Sequence, residues 1–169
     1  TNLVSYWALD ETIESSGEGA SFVFDKVGGT LGSELITNGD FSSWSGGNPT
    51  GWSTVNGTVN EVGSDGSAGT GSAQLVNEGV QADLRANSVM TSGKTYKLTI
   101  DIKVVTSGSL RLSDSTGNFV DGLNSTGIKT YYRVATGTQL QIIASTNPTD
   151  IVIDDISLKE VQGNPGQLI

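Results

Sequence analysis

The 169-residue chain predicts an all-β protein: a single antiparallel β-sandwich of jelly-roll type with an extended N-terminal arm. Three observations lead there. Lys94 to Val105 (KTYKLTIDIKVV) alternates without a break, with Tyr96, Leu98, Ile100, Ile102 and Val104 on one side and Thr95, Lys97, Thr99, Asp101 and Lys103 on the other. A period of two with β-branched and aromatic residues on one face marks a half-buried strand, and its polar face suits an antiparallel sheet covered on one side. Gly is counted at 23 against only 3 Pro, and Ser, Thr and Asn are abundant, so short apolar runs are separated by turn formers. No segment carries a long apolar stripe at helical spacing.

Taken in order, residues 1–33 form the arm. LVSYWALDE opens as a strand, ESSGEGAS interrupts it, and FVFDKVGGTLG follows with a Gly-Gly turn. The stretch is too short for a core of its own and is expected to pack on the main domain or serve in assembly, with Tyr6 and Trp7 as its anchors. The main domain spans 34–161. Asn38-Gly39 is a turn dipeptide, GGNPTG a loop, VNGTVNEVG a short strand and SDGSAGTGS a flexible loop. AQLVNEGVQADLRA reads as two strands around Glu78-Gly79.

Gly93 opens the alternating strand, and Ser107-Gly108 closes it in a turn. Leu110 and Leu112 then resume the alternation, so a hairpin is expected there. GNFVDG and KTYYRVATGTQLQIIAS follow, the latter turning at Thr136-Gly137-Thr138. In the last strand, DIVIDDISLKEV, Ile151 and Ile153 share a face, but Ile156 and Leu158 fall out of step. A bulge at Asp154-Asp155 restores the register. Residues 162–169 are a tail or linker. Roughly nine to eleven strands result, which favours a closed sandwich over an open sheet.

The 18 Asp and Glu outnumber 9 Lys and Arg, for a net charge of −9. That sign repels phosphate backbones and anionic lipid, so neither nucleic acid nor a membrane surface is an expected partner. No apolar run is long enough to insert in a membrane. Without Cys there is no disulfide or thiolate chemistry, and without His there is no Ser-His or Cys-His nucleophile.

From Glu34 to Val161 the sequence resembles carbohydrate-binding modules of families 4, 9 and 22, which are galactose-binding-like jelly rolls. TNGDF at 37–41, TGW at 50–52, SGKTYKLTIDIK at 92–103 and IDDISLKEV at 153–161 carry the resemblance and occur in the family's order. The opening LVSYWALDE, with DKVGG downstream, resembles the first strand of laminin-G-like, concanavalin-type domains. That opening, a TNGDF module and a GNPG exit together resemble bacteriophage and prophage proteins that decorate tails and capsids. The resemblance implies a non-catalytic glycan-binding domain at a virion or cell surface. Its partners would be an extracellular or cell-surface glycan, copies of itself, and other virion or surface proteins.

The resemblance also implies a structural Ca2+ shared by Asp40 and Asp154, since hard cations take carboxylate and carbonyl oxygens. Ser42 leaves that set one ligand short. The residues alone allow a plainer reading, in which Asp40 caps the Asn38-Gly39 turn, Asp154 shapes the bulge and Asp155 faces solvent. The adjacent acids Asp154 and Asp155 do not suggest a glycosidase, whose two carboxyls face each other across a cleft; as sequence neighbours they are expected on opposite faces.

For sugar stacking the candidates are Trp44, Phe119, Tyr131 and Tyr132, because pyranose C–H faces lie on flat π-surfaces. Trp44, in a Ser/Gly loop, is expected to be the exposed one. Tyr131 and Tyr132 should point to opposite faces, and Trp52, Tyr96 and Phe41 should enter the core. Gln81, Arg85, Arg111, Arg133 and Gln141 offer planar groups for hydroxyl recognition, or form a solvated outer face. The alternative function is a purely structural assembly or decoration protein that binds no glycan.

Overall fold

The structure is a computed structural model and describes residues 30–162. Tyr6, Trp7, most of the arm and residues 163–169 of the tail lie outside the described residues. Thirteen strands and no helix occupy the described residues. They are β1 (Thr30–Glu34), β2 (Trp44–Ser45), β3 (Asn48–Pro49), β4 (Ser53–Val55), β5 (Thr58–Val62), β6 (Ser72–Asn77), β7 (Asp83–Ala86), β8 (Thr95–Ser107), β9 (Leu110–Ser113), β10 (Asn118–Leu123), β11 (Gly127–Val134), β12 (Leu140–Ala144) and β13 (Thr149–Gln162).

Two antiparallel sheets face each other as a jelly-roll sandwich. One runs β11-β8-β13-β6-β5, with β1 also on β13; the other runs β10-β9-β12-β7-β4, and β2-β3 is a small separate ribbon. The alternation of β8 places Leu98, Ile100 and Ile102 in the core beside Leu75, Ile151, Ile153 and Leu158. Leu84, Leu110, Leu112, Leu140 and Ile142 meet them from the opposite sheet. Each such side chain contributes about 1.5–3 kcal/mol by leaving water. Phe41, Trp52 and Tyr96 are buried as expected, with Phe41 and Trp52 in tilted contact at 5.5 Å between ring centroids.

The bulge in β13 lies where the pattern puts it. The β13–β8 register shifts between Asp154 and Ser157, Asp155 takes φ 49°, and Ile156 and Leu158 return to the core. Gly39 serves the same corner. Its carbonyl accepts the Ile156 N–H at 2.9 Å, and a Cβ there would stand 2.0 Å from the Ile156 oxygen.

The hairpin expected at Ser107-Gly108 does not form. β8 pairs with β11 and β13, whereas β9 pairs with β10 and β12 in the other sheet. The chain therefore arches from one sheet to the other. The physical reason is that β8 and β9 both turn their apolar residues toward the core, which they reach from opposite sides. Gly108 (φ 76°) sits inside the arch, where a Cβ would lie 2.4 Å from the Pro148 oxygen.

The arm's boundary also moves. Thr30 pairs with Gln162 and Leu31 with Val161, so residues 30–33 and Gln162 belong to the sandwich. Glu34 fastens this junction: its Oε1 accepts the N–H groups of Leu158 (2.8 Å), Ile36 (3.0 Å) and Leu35 (3.1 Å). Burial pushes its carboxyl up, but these bonds and the Ser157 hydroxyl outweigh it and hold it below the usual range.

Candidate ligand-binding face

In β7, β9 and β12 the even-numbered residues Leu84, Leu110, Leu112, Leu140 and Ile142 fill the core. The odd ones therefore point outward, away from the other sheet. Register aligns them in two rows. One runs Ser53, Arg85, Gln141, Ser113, Asn118; the next runs Val55, Asp83, Ile143, Arg111. Three of the predicted planar side chains, Arg85, Arg111 and Gln141, thus meet on one surface. Gln81 is exposed in the loop leading into β7, two residues before Asp83.

This surface is not a plain solvated face. Asp83 is 7% exposed, Ile143 6% and Ser113 3%, although all three point outward. Arg85 donates from Nε (2.9 Å) and Nη2 to Asp83 Oδ2, and Ser113 Oγ donates to Gln141 Oε1 at 3.0 Å. Gln141 Nε2 reaches Gln139 Oε1 at 3.3 Å. Among the described residues three buried side-chain polar atoms have no hydrogen-bond partner. One is Thr54 Oγ1 in β4; the other two, Asp83 Oδ1 and Arg111 Nε, belong to this surface. They lie on either side of Ile143, which is in register with both residues. Two strand spacings separate their backbones, about 10 Å. Sequence reasoning missed Asp83, Ser113 and Ile143. The signal was present in their parity with Arg85, Arg111 and Gln141.

The aromatic candidates lie elsewhere. Trp44 is half-buried against the core rather than free, with its indole N–H donated to the Phe41 carbonyl at 2.7 Å. It lines a shallow cleft of about 340 Å³ with Gly46, Gly47, Val59 and Asn60, beside β5. Tyr131 and Tyr132 do take opposite faces. Tyr131 aligns with buried Leu98 and packs on the core, where burial pushes its phenol up, while Tyr132 aligns with Lys97 on the outer side. β11 and β5 are opposite edges of their sheet, about 19 Å apart at ordinary strand spacing, so Trp44 shares no groove with either tyrosine. Phe119 packs partly on the core, and its carbonyl accepts from Arg133 Nε at 3.0 Å.

Asp40 and Asp154 hold local partners. Asp40 Oδ1 accepts the Ser42 N–H (3.3 Å) and hydroxyl (3.0 Å). Asp154 Oδ1 accepts the Asp155 N–H at 2.7 Å, and its Oδ2 the Ser72 hydroxyl at 3.1 Å. Among the described residues no group of three or more Asp, Glu, His or Cys is placed to hold a metal. Asp154 and Asp155 are not on opposite faces: the bulge turns both toward Lys103, whose Nζ is 3.9 Å and 3.7 Å from them and 2.6 Å from Asp101. Burial dominates at Asp154 and raises its carboxyl above the usual range.

A further carboxylate escaped sequence reasoning. Asp114, 3% exposed, accepts the backbone N–H groups of Thr116 (2.7 Å), Gly117 (2.8 Å), Thr136 (2.7 Å) and Gly137 (2.7 Å). It ties the β9–β10 turn to the β11–β12 loop at one end of the face. Burial raises its carboxyl, but the N–H donors prevail and hold it far below the usual range.

No protein-family model matches the chain, and no curated protein matches it significantly. Its fold is shared with solved structures. The CBM22-1 xylan-binding domain from Paenibacillus barcinonensis Xyn10C aligns with a TM-score of 0.51 at 14% identity, over 79% of this chain and 97% of that one. A family 29 carbohydrate-binding module aligns with a TM-score of 0.47 at 16% identity, over 78% and 88% of the two chains. The enzymatically active domain of bacteriophage CBA120 tailspike protein 4 gives a TM-score of 0.47 at 15% identity, over 75% of this chain and 21% of that chain. At 14% identity the likeness to the xylan-binding domain is one of fold.

Proposed function

We propose that this sandwich is a non-catalytic glycan-binding domain of a virion or cell-surface protein, used for attachment or particle decoration. It would take its carbohydrate on the outward face of the five-stranded sheet. The observation that carries this reading is the pair of orphaned buried atoms, Asp83 Oδ1 and Arg111 Nε, on either side of Ile143. A buried acceptor or donor without a partner costs roughly 1–3 kcal/mol, a cost that a ligand hydroxyl or carboxyl removes. Sugars present donors, acceptors and apolar C–H faces together. Here an acceptor, guanidinium donors, the Gln141 amide and the apolar Ile143 stand in adjoining rows.

The likeness of fold to a xylan-binding domain supports the same reading. Without an aromatic platform on this face, single-site affinity would be modest, and many copies on a particle would raise it by avidity. The arm, with Tyr6 and Trp7, would supply contacts to copies of the chain or to other virion or surface proteins.

The second reading is an assembly or decoration protein that binds no glycan. It is favoured by one observation: Trp44 and Tyr131 are packed on the core rather than presented. Glycan-array binding by a multimerised, folded sample separates the two. Signal for a sugar class that disappears in Gln141→Ala supports the first reading, and silence supports the second.

A further inference from the structure

We infer that the glycan taken by this face is acidic, a polysaccharide whose uronate carboxylate seats on the Arg111 guanidinium. The inference rests on the glycan-binding reading above and concerns the ligand's charge.

The chain has three arginines, and two are satisfied. Arg85 grips Asp83 through two donors, and Arg133 donates to the carbonyls of Phe119 and Tyr132, each at 3.0 Å. Arg111, half-buried, has no ion pair or hydrogen bond from its guanidinium among the described residues, and its Nε is shut off from water. A guanidinium does not shed its proton, so this site keeps a positive charge that neither solvent nor protein fully compensates. Asp83 does not cancel it, because its Oδ2 is already engaged by Arg85 and it lies two strands away.

The whole molecule carries −9, so long-range attraction does not bring anions here. Only a ligand held by the face itself would place a carboxylate on Arg111, and guanidinium and carboxylate match in planar, two-bond geometry. Across Ile143, Asp83 Oδ1 remains to accept a hydroxyl from a neighbouring sugar of the same chain. The arrangement therefore specifies a carboxylate and a hydroxyl donor on adjacent residues of one polysaccharide.

The test is titration of the full chain with polygalacturonate, carboxyl-reduced polygalacturonate, a sulfated glycan and neutral xylan. Arg111→Gln and Arg111→Lys are measured alongside, with thermal melts as the check on folding. The expected result is binding of polygalacturonate at least about tenfold tighter than of its carboxyl-reduced form. That preference should weaken with salt, vanish in Arg111→Gln and partly survive in Arg111→Lys. Equal binding of both forms, a preference untouched by Arg111→Gln, or binding of the sulfated glycan alone overturns the inference. If xylan or the reduced chain still binds, the glycan-binding reading survives that result. If every carbohydrate is silent, both fall.

Discussion

Asp114 accepts the backbone N–H of Gly137 at 2.7 Å, joining two loops that are 23 residues apart in the chain. With Thr116, Gly117 and Thr136 the same carboxylate collects four N–H donors in a buried setting. Replacing it with Ala leaves those donors facing an emptied site, and Asn puts an amide N–H among them. Either change should cost about 3 kcal/mol, read from the midpoint of urea unfolding.

The same carboxylate shapes the acid limb of stability. Its folded value lies below the ordinary 3.8, so its contribution is fully present above pH 3.8 and is lost as pH falls through the folded value. Glu34, also lowered, acts in the same direction. Asp154 is raised and acts oppositely, so acidification through its folded value relieves a cost. Wild type should therefore lose stability more steeply below pH 3.8 than Asp114→Asn, in urea melts run at successive pH values.

Gly108→Ala tests the arch between β8 and β9. The φ of 76° and the Pro148 oxygen 2.4 Å from the added Cβ predict a loss of at least about 2 kcal/mol. Gly93, also at positive φ but with open space around it, should lose less in the same urea assay.

Metal removal addresses Asp40 and Asp154. Each already serves a turn or bulge, so EDTA should leave the Tm unchanged and Asp40→Ala should cost only about 0.5 kcal/mol. A Tm that rises with added calcium and falls with chelator would contradict this.

Trp44→Ala should lower stability by about 2 kcal/mol, because the indole packs on the core and bonds the Phe41 carbonyl. Glycan binding should survive it, since the ring lies beside β5 and away from the Arg85–Gln141–Arg111 face.

Much of this was legible in the chain. Alternation identified β8 and its buried face from Tyr96 to Ile102, but a shift in the β8–β13 register then puts Val105 rather than Val104 on the core. The slip between Ile153 and Ile156 located the bulge, because a period of two leaves no other way to bury both. The partner of β8 was not legible, since Ser107-Gly108 suits a hairpin and an arch equally. Asp114 carried a local sign in Asp-Ser-Thr-Gly, an Asx-turn pattern, but its bonds to Thr136 and Gly137 depend on how the sheets stack. Trp44 looked free because Ser and Gly surround it, yet the β2–β3 ribbon folds it back onto the core. Arg85, Arg111 and Gln141 were chosen for their chemistry alone, and only the β9-β12-β7 register sets them side by side.

The most direct measurement is a glycan array probed with the multimerised wild type, Gln141→Ala and Trp44→Ala, each confirmed folded. A reproducible signal for one sugar class, lost in Gln141→Ala and kept in Trp44→Ala, is the predicted result. Silence of the wild type, or a signal lost only in Trp44→Ala, would contradict glycan recognition on the outward face of the five-stranded sheet.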